Sequence, residues 1–148
     1  MVEQTLEYEN AHFLLSLIAG DVDLAQAIGK EFDIRVTTRD TWIKFFGDKE
    51  NVRRAIMVMK DLESARRDGA EIKEQAFRFA IDSVKIGDGC KVSDLLGHRI
   101  LGARDRPAVV PRNRTQLKYL KSMYDNEVVF GIGPAGTGKT YLAMASAI

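Results

Sequence analysis

Apolar residues recur at helical spacing twice near the start of the chain: Phe13, Leu14, Leu17 and Ile18 follow Asn10, and Leu24, Ala27 and Ile28 follow Asp21. Asn and Asp side chains accept hydrogen bonds from the free N–H groups of a helix start, so each reads as an N-cap and two short helices open the domain. The period then changes to two. Ile34 and Val36, and beyond Thr41 Ile43 and Phe45, alternate with polar or exposed-type residues and predict a β-hairpin ending at Gly47. Asp48 caps a further helix whose Val52, Ala55, Ile56, Met59 and Leu62 form one apolar stripe, and Gly69 stands where a helix end favours positive φ. Residues 5 to 69 therefore read helix-helix-strand-strand-helix, a small α+β domain.

Residues Ala70 to Val84 keep helical spacing through Ile72, Ala76, Phe79 and Ala80, and predict a separate connecting helix that ends at Gly87-Asp88-Gly89. Beyond it the signals weaken. Val92 to Leu96 reads as a helical turn, and Ile100-Leu101 and Val109-Val110 as short edge strands interrupted by Pro107 and Pro111, so residues 70 to 110 form a connecting helix and an irregular linker. The pattern sharpens over residues 111 to 148. A helix from Thr115 carries Leu117, Leu120 and Tyr124, a buried-type strand runs Val128-Val129-Phe130-Gly131-Ile132, and a Gly-rich loop leads to a helix start at Lys139. There is no internal repeat and no low-complexity segment.

Composition adds exclusions. With 148 residues, 45% hydrophobic and 29% charged, the chain has the make-up of a folded protein, neither disordered nor collagen-like. Its 22 Lys+Arg against 21 Asp+Glu leave a charge of +1, which by itself points to neither nucleic acid nor membrane. Cys90 is the only cysteine, so an internal disulfide and a cysteine-rich zinc site are excluded and a reducing compartment, the cytoplasm, is expected. The apolar run Phe13 to Ala19 is far short of the roughly 20 residues of a membrane span, and Glu3, Glu7 and Glu9 precede it rather than Lys or Arg. Neither a signal peptide nor a membrane anchor is expected.

The strongest chemical signal is Gly133-Pro134-Ala135-Gly136-Thr137-Gly138-Lys139-Thr140, a full G-x-x-x-x-G-K-[ST] between an apolar strand and a helical segment. Its glycines let backbone N–H groups curl into an anion-binding nest, and the following helix points its positive end at the same place. A triphosphate suits that nest. Lys139 would neutralise β- and γ-phosphate oxygens, and the Thr140 hydroxyl would be one Mg²⁺ ligand. Upstream, Gln116 carries a side-chain amide that both donates and accepts. It would pair with adenine N6 and N7 and reject guanine, making the ligand ATP; an ordinary exposed helix glutamine is the equal alternative.

Between His98 and Tyr124 a single acid, Asp105, stands among Arg99, Arg104, Arg106, Arg112, Arg114, Lys118 and Lys121. Such a basic strip either tracks a nucleic-acid backbone or is a solvated surface whose acidic partners lie elsewhere in the fold. On the hairpin, Ile34, Val36, Ile43 and Phe45 share one face, leaving Arg35, Thr37, Trp42, Lys44 and Phe46 on the other. That face would stack bases, with Arg35 and Lys44 on phosphates, or, as the favoured reading, pack against the Ala70 to Val84 helix or another subunit. His12 and His98 have no partner at metal-ligand spacing, and Cys90 no base beside it, so all three read as structural or incidental.

Pro111-Arg112, Thr115-Gln116, Tyr119 and Val129 through Ala143 resemble the leading helix, first strand and phosphate loop of the PhoH-like family of bacterial ATPases, while Leu17, Gly20, Leu24, Ile43 and Gly47 fit its N-terminal part. The resemblance covers nearly the whole chain, with little from residues 85 to 110. It implies an α/β chain in which a small α+β KH-like domain precedes the first strand, phosphate loop and helix start of a RecA-like P-loop NTPase domain. It also implies binding of ATP and Mg²⁺ by Gln116 and the stretch Gly133 to Tyr141, with Lys139 in the catalytic role. Hydrolysis by the complete protein, a link to RNA metabolism, self-assembly and co-operation with an rRNA-processing endoribonuclease are implied too.

Two departures qualify it. Near Gly29-Lys30-Glu31-Phe32, where a G-x-x-G loop would clamp RNA, Phe32 replaces the second glycine. The chain also reaches Ile148 before any Walker B carboxylate, water-positioning residue or arginine finger, so alone it cannot complete an ATPase site, and a fragment of a longer or disrupted gene is expected. The buried-type strand, lacking partner strands in view, would be exposed. Two further readings stay open: a P-loop kinase or AAA+-type ATPase, and a non-catalytic RNA- or protein-binding module whose P-loop stub is inert.

Overall fold

The computed structural model describes residues 1–100 and 108–147. Leu101, Arg104, Asp105, Arg106, Pro107 and Ile148, all used in the sequence reading, lie outside them. The chain divides into two compact units, Met1–Ser93 and Asp94–Ile148. The first holds β1 (Val2–Glu7), α1 (Ala11–Leu17), α2 (Val22–Phe32), β2 (Arg35–Arg39), β3 (Trp42–Gly47), α3 (Lys49–Arg67) and α4 (Glu74–Ile86). Helix α5 (Val92–Gly97) straddles the division, and α6 (Arg114–Asp125) and α7 (Lys139–Ser146) belong to the second unit. The architecture is α+β: a three-stranded antiparallel sheet, ordered β1-β3-β2, with seven helices among the described residues.

The first unit follows its caps. Asn10 accepts from Phe13 N at 2.8 Å, Asp21 from Asp23 N at 2.8 Å and Asp48 from Glu50 N at 2.9 Å, so α1, α2 and α3 begin where short polar side chains satisfy free N–H groups. At the other end of α3, Gly69 adopts φ +89° while its N–H donates to Arg66 O and that of Ala70 donates to Ala65 O. This paired closure requires a left-handed residue, which glycine supplies without a Cβ penalty. The inner sheet face sets Ile43 and Phe45, both with no exposed surface, over the α3 residues Val52, Ala55, Val58, Met59 and Leu62. Each of these side chains larger than alanine contributes roughly 1.5–3 kcal/mol by leaving water.

Several features differ from the sequence reading. Strand β1 was not anticipated: Val2 and Leu6 are its only aliphatic residues, with Gln4 between them, too little alternation to signal a strand that pairs on one side only. Helix α4 begins at Glu74 rather than Ala70, because the α3 closure at Gly69 and Ala70 turns the chain out of helix; Ile72 is buried all the same. It packs on α3 and α2, with Phe77, Phe79, Ala80 and Ile81 buried. An ion pair between Lys85 and Glu31 joins α4 to α2, and this hydrogen bond and charge hold the Glu31 carboxyl below, and the Lys85 ammonium above, their ordinary pKa values. Helix α4 therefore does not cover the outer sheet face, where Arg35, Thr37 and Phe46 are exposed and Trp42 and Lys44 half-buried.

Residues 29–32 do not form a loop. They are the last turn of α2, which ends at Asp33 in the left-handed region. Gly29 is there for close approach: a Cβ on it would meet Ile34 O at 2.9 Å and Val36 Cγ2 at 3.3 Å.

In the second unit Leu117 and Leu120 of α6 and Leu142 of α7 are buried, and Ile100 and Val109 form an isolated antiparallel bridge. The expected strand at Val128–Ile132 is not formed. A strand exists through its neighbours, and among the described residues none pairs with this segment. Val128, Phe130 and Ile132 are 71%, 85% and 96% exposed. No single helix among the described residues is long and apolar enough to cross a membrane.

The Gly29 contact gives a testable sign. In an open helix Gly→Ala gains up to about 1 kcal/mol. Here Gly29→Ala forces a Cβ onto a backbone carbonyl, and a loss of about 1–3 kcal/mol is expected. Urea unfolding of the variant checks it, and an unchanged or higher midpoint contradicts the contact.

Candidate functional site: the glycine-rich loop and its tether

The loop from Gly133 to Thr140 is supported from both ends. Helix α7 starts at Lys139 after Gly138, whose φ of +82° together with +78° at Gly136 turns the backbone through two left-handed residues. Neither position tolerates a side chain cheaply. Leu142, one turn into α7, is buried and anchors the helix on α6.

Inside the loop the lysine closes on its own backbone. Lys139 Nζ donates to Gly133 O at 2.9 Å, to Pro134 O at 2.6 Å and to Thr137 Oγ1 at 3.2 Å, while Thr137 Oγ1 donates to Pro134 O at 3.0 Å. An ammonium has three donors, and all three are used. Its charge thus sits at the centre of the turn, where an anion entering the loop would meet it. Ala135 and Gly136 form the exposed outer bend, and Thr140 is exposed in the first turn of α7.

Gln116 ties this loop to α6. Asn113 caps α6 by accepting from Gln116 N at 2.9 Å, and the Gln116 side chain reaches back so that its Oε1 accepts from Arg112 N at 2.7 Å. This is a variant of the reciprocal cap written Asn-x-x-Gln, with the glutamine three residues after the cap. Its other end, Nε2, donates to Thr137 O at 3.1 Å, and a Cβ on Gly138 would lie 3.1 Å from that nitrogen. One side chain therefore holds the α6 N-terminus and the loop at a set distance, and one N–H and one acceptor lone pair remain uncommitted.

Two hollows flank the tether. One, about 600 Å³, is bounded by Tyr119, Gly131, Gly133, Lys139 and Leu142; the Tyr119 ring lies so close that a Cβ on Gly131 would meet it at 3.2 Å. The other, about 530 Å³, lies between Val109, Val110 and Tyr141, with Gln116, Thr137 and Gly138 at its floor. The structure thus brings Gln116, Gly133, Pro134, Thr137, Gly138 and Lys139 together and puts Tyr141 on the second hollow.

Sequence reasoning missed Val109 and Val110 as lining residues and Asn113 as the cap. The Asn113-x-x-Gln116 spacing was the available signal for the cap; for the two valines nothing local distinguishes a lining role from an edge strand. Of the basic strip, Arg99, Arg112, Arg114 and Lys118 are exposed and Lys121 half-buried. Among the described residues no group of three or more His, Cys, Asp or Glu lies close enough to hold a metal ion.

A glycine-rich turn tethered to a capped helix, following a small α+β unit in the chain, is the class that this geometry defines, and comparison with known proteins gives the family. The family model described as PhoH-like protein matches residues 108–148. A PhoH-like protein of Bacillus subtilis is 30% identical over 140 residues, 95% of this chain, and one of Mycobacterium tuberculosis is 28% identical over 136 residues, 91% of it. Protein PhoH of Escherichia coli is 40% identical over 45 residues, 30% of the chain. This chain belongs to the PhoH-like family. It spans 44%, 38% and 13% of the lengths of those three relatives. No solved structure matches.

The tether generates a local expectation. Gln116→Leu removes the acceptor for Arg112 N–H, and one hydrogen bond is worth about 1 kcal/mol net, so that amide should exchange with solvent roughly fivefold faster. Hydrogen exchange read by NMR measures this, and an unchanged rate means that the tether is not formed in solution.

Proposed function

We propose that this chain binds ATP with Mg²⁺ at the Gly133–Thr140 loop and that the complete protein to which such a chain belongs hydrolyses it in the service of RNA metabolism. The observation that carries the proposal is the Lys139 ammonium, gathered at 2.6–3.2 Å by Gly133 O, Pro134 O and Thr137 Oγ1 inside a turn with two left-handed glycines. Phosphate oxygens are stronger acceptors than these carbonyls, and the β- and γ-phosphates would take the lysine from them. Gly133, Pro134, Ala135, Gly136, Thr137 and Gly138 would wrap the phosphates. Thr140 would give Mg²⁺ one hydroxyl, the remaining ligands being phosphate and water, which suits an ion that takes few protein oxygens.

The base would enter the hollow of Val109, Val110 and Tyr141, with Tyr141 against its face. The uncommitted N–H and lone pair of Gln116 would read adenine there and disfavour guanine. The proposal extends to a cytoplasmic setting, to self-assembly and to an rRNA-processing endoribonuclease as partner. Residues beyond this chain would supply the Walker B carboxylate and the groups that position water. Lys139→Ala should weaken MgATP binding to the chain by roughly tenfold to a hundredfold, the worth of a charge-assisted bond, and abolish hydrolysis by the complete protein. Calorimetry and phosphate release measure these, and unaltered turnover in the variant sinks the proposal.

A second reading, RNA binding without catalysis, is favoured by the uncovered outer sheet face. Lys44 Nζ stands 5.6 Å from the Trp42 ring centroid, and Arg35, Thr37 and Phe46 are exposed beside them. Lys44 is paired with Glu3 at 3.0 Å, so an RNA phosphate would have to take it from that carboxylate, while Trp42 and Phe46 suit stacked single-stranded bases and Arg35 a phosphate. Single-stranded RNA should bind the chain with salt-sensitive affinity, and Trp42→Ala should cost at least about fivefold. Fluorescence anisotropy at two salt concentrations tests it, and absence of binding at low salt removes this reading.

A further inference from the structure

The first unit has two sheet edges, and they are treated differently. Along β2, helix α2 is packed against the edge and Gln26 Nε2 donates to Val36 O at 3.2 Å. Strand β1 pairs with β3 alone, and among the described residues its other edge has no strand partner. Tyr8 N donates to Thr41 O at 2.8 Å, which continues the β1–β3 register; Leu6, Gln4 and Val2 therefore turn their backbone groups toward β3. By alternation Glu3, Thr5 and Glu7 turn theirs outward. The edge carries no proline, no lysine and no bulge; of the devices that keep one strand from pairing with another it has only charge, at Glu3, which Lys44 of β3 meets at 3.0 Å, and at Glu7. Under it, between β1 and α3, runs a groove of about 870 Å³ lined by Val2, Gln4, Val52, Arg53, Ile56 and Met57, with Met57 47% exposed.

We propose that this edge is a self-association surface, occupied by β1 of a second copy in antiparallel, two-fold symmetric pairing. Charge selects the register. Residues that share the outward hydrogen bonds must be odd with odd, which leaves three central registers. Placing Glu3 on the axis sets Glu3 against Glu3, and placing Thr5 there sets Glu3 against Glu7; like charges directly opposite disfavour both. With Gln4 on the axis, Glu3 faces Thr5, Val2 faces Leu6 and the two Gln4 amides face each other as donor and acceptor. In that register Leu6 of the second copy lies beside Val2, at the mouth of the groove, and covers apolar surface that the monomer leaves wet. Two such sheets join into one of six strands. The arrangement gives a surface to the self-assembly proposed above, and it stands or falls separately from nucleotide binding.

The test is the mass of the whole 148-residue chain in solution as concentration rises, by sedimentation equilibrium or light scattering. Wild type should move toward twice its monomer mass. Gln4→Lys and Gln4→Glu each set like charges across the axis and should stay monomeric, whereas an equimolar mixture of the two should recover the dimer. A variant that merely unfolds would give no such recovery. Thr5→Pro deletes one outward N–H, spares every β1–β3 bond and should also be monomeric with unchanged circular dichroism. Lys139→Ala should dimerise like wild type whatever it does to nucleotide. A wild type that stays monomeric, a dimer indifferent to Gln4, or a mixture that fails to recover overturns the proposal; the first of these assigns the edge to a strand of another protein.

Discussion

An extended backbone must place its N–H and C=O groups, and how completely each extended segment of this chain does so orders the molecule. Strand β3 has partners on both sides and carries Ile43 and Phe45, the side chains on which the first core closes. Strand β2 has one strand partner and a helix lying along its free edge. Strand β1 has one partner and an open edge, and residues 128–132 have no strand partner among the described residues. Burial follows the same series, from nothing exposed at Ile43 to 96% exposed at Ile132. Apolar character alone does not put a side chain inside; a backbone that can be satisfied there does.

Helices obey a matching rule at their ends, and here the ends shape the candidate site. Short side chains at Asn10, Asp21, Asp48 and Asn113 satisfy the first N–H groups of four helices. At Asn113 the rule is put to a second use. The glutamine that completes the cap is long enough to reach the neighbouring loop, so a device for starting a helix also fixes the distance from that helix to the lysine turn.

Much of this was legible in the chain. Caps and three-to-four residue spacing located α1, α2 and α3, spacing alone located α6, period two located the hairpin, and the loop pattern located the turn that gathers Gly133, Pro134, Thr137 and Lys139. What was not legible depends on contacts between distant residues. Gly29 looks like a loop residue, and its reason, the carbonyl of Ile34 at the distance where a Cβ would sit, exists only once α2 folds back on β2. Strand β1 shows little alternation because its middle inward position, Gln4, is polar and exposed, and α4 could be seen as a helix but not as one that passes by the outer sheet face. At the loop, the lysine and glutamine could be named from the pattern, but their present partners are backbone carbonyls, which no side-chain pattern announces.

The bare segment at Val128–Ile132 has a consequence for handling the molecule. Five apolar or small residues with unpaired backbone are the material of intermolecular β-aggregates, and such stretches are restrained in folded proteins by flanking charge and by breakers. Asp125 and Glu127 stand on one side; Gly131 interrupts the run, and Gly133 and Pro134 close it. The glycines and proline that shape the loop are thus also the breakers that bound the exposed run. A substitution that made the loop more strand-like would be felt first as insolubility.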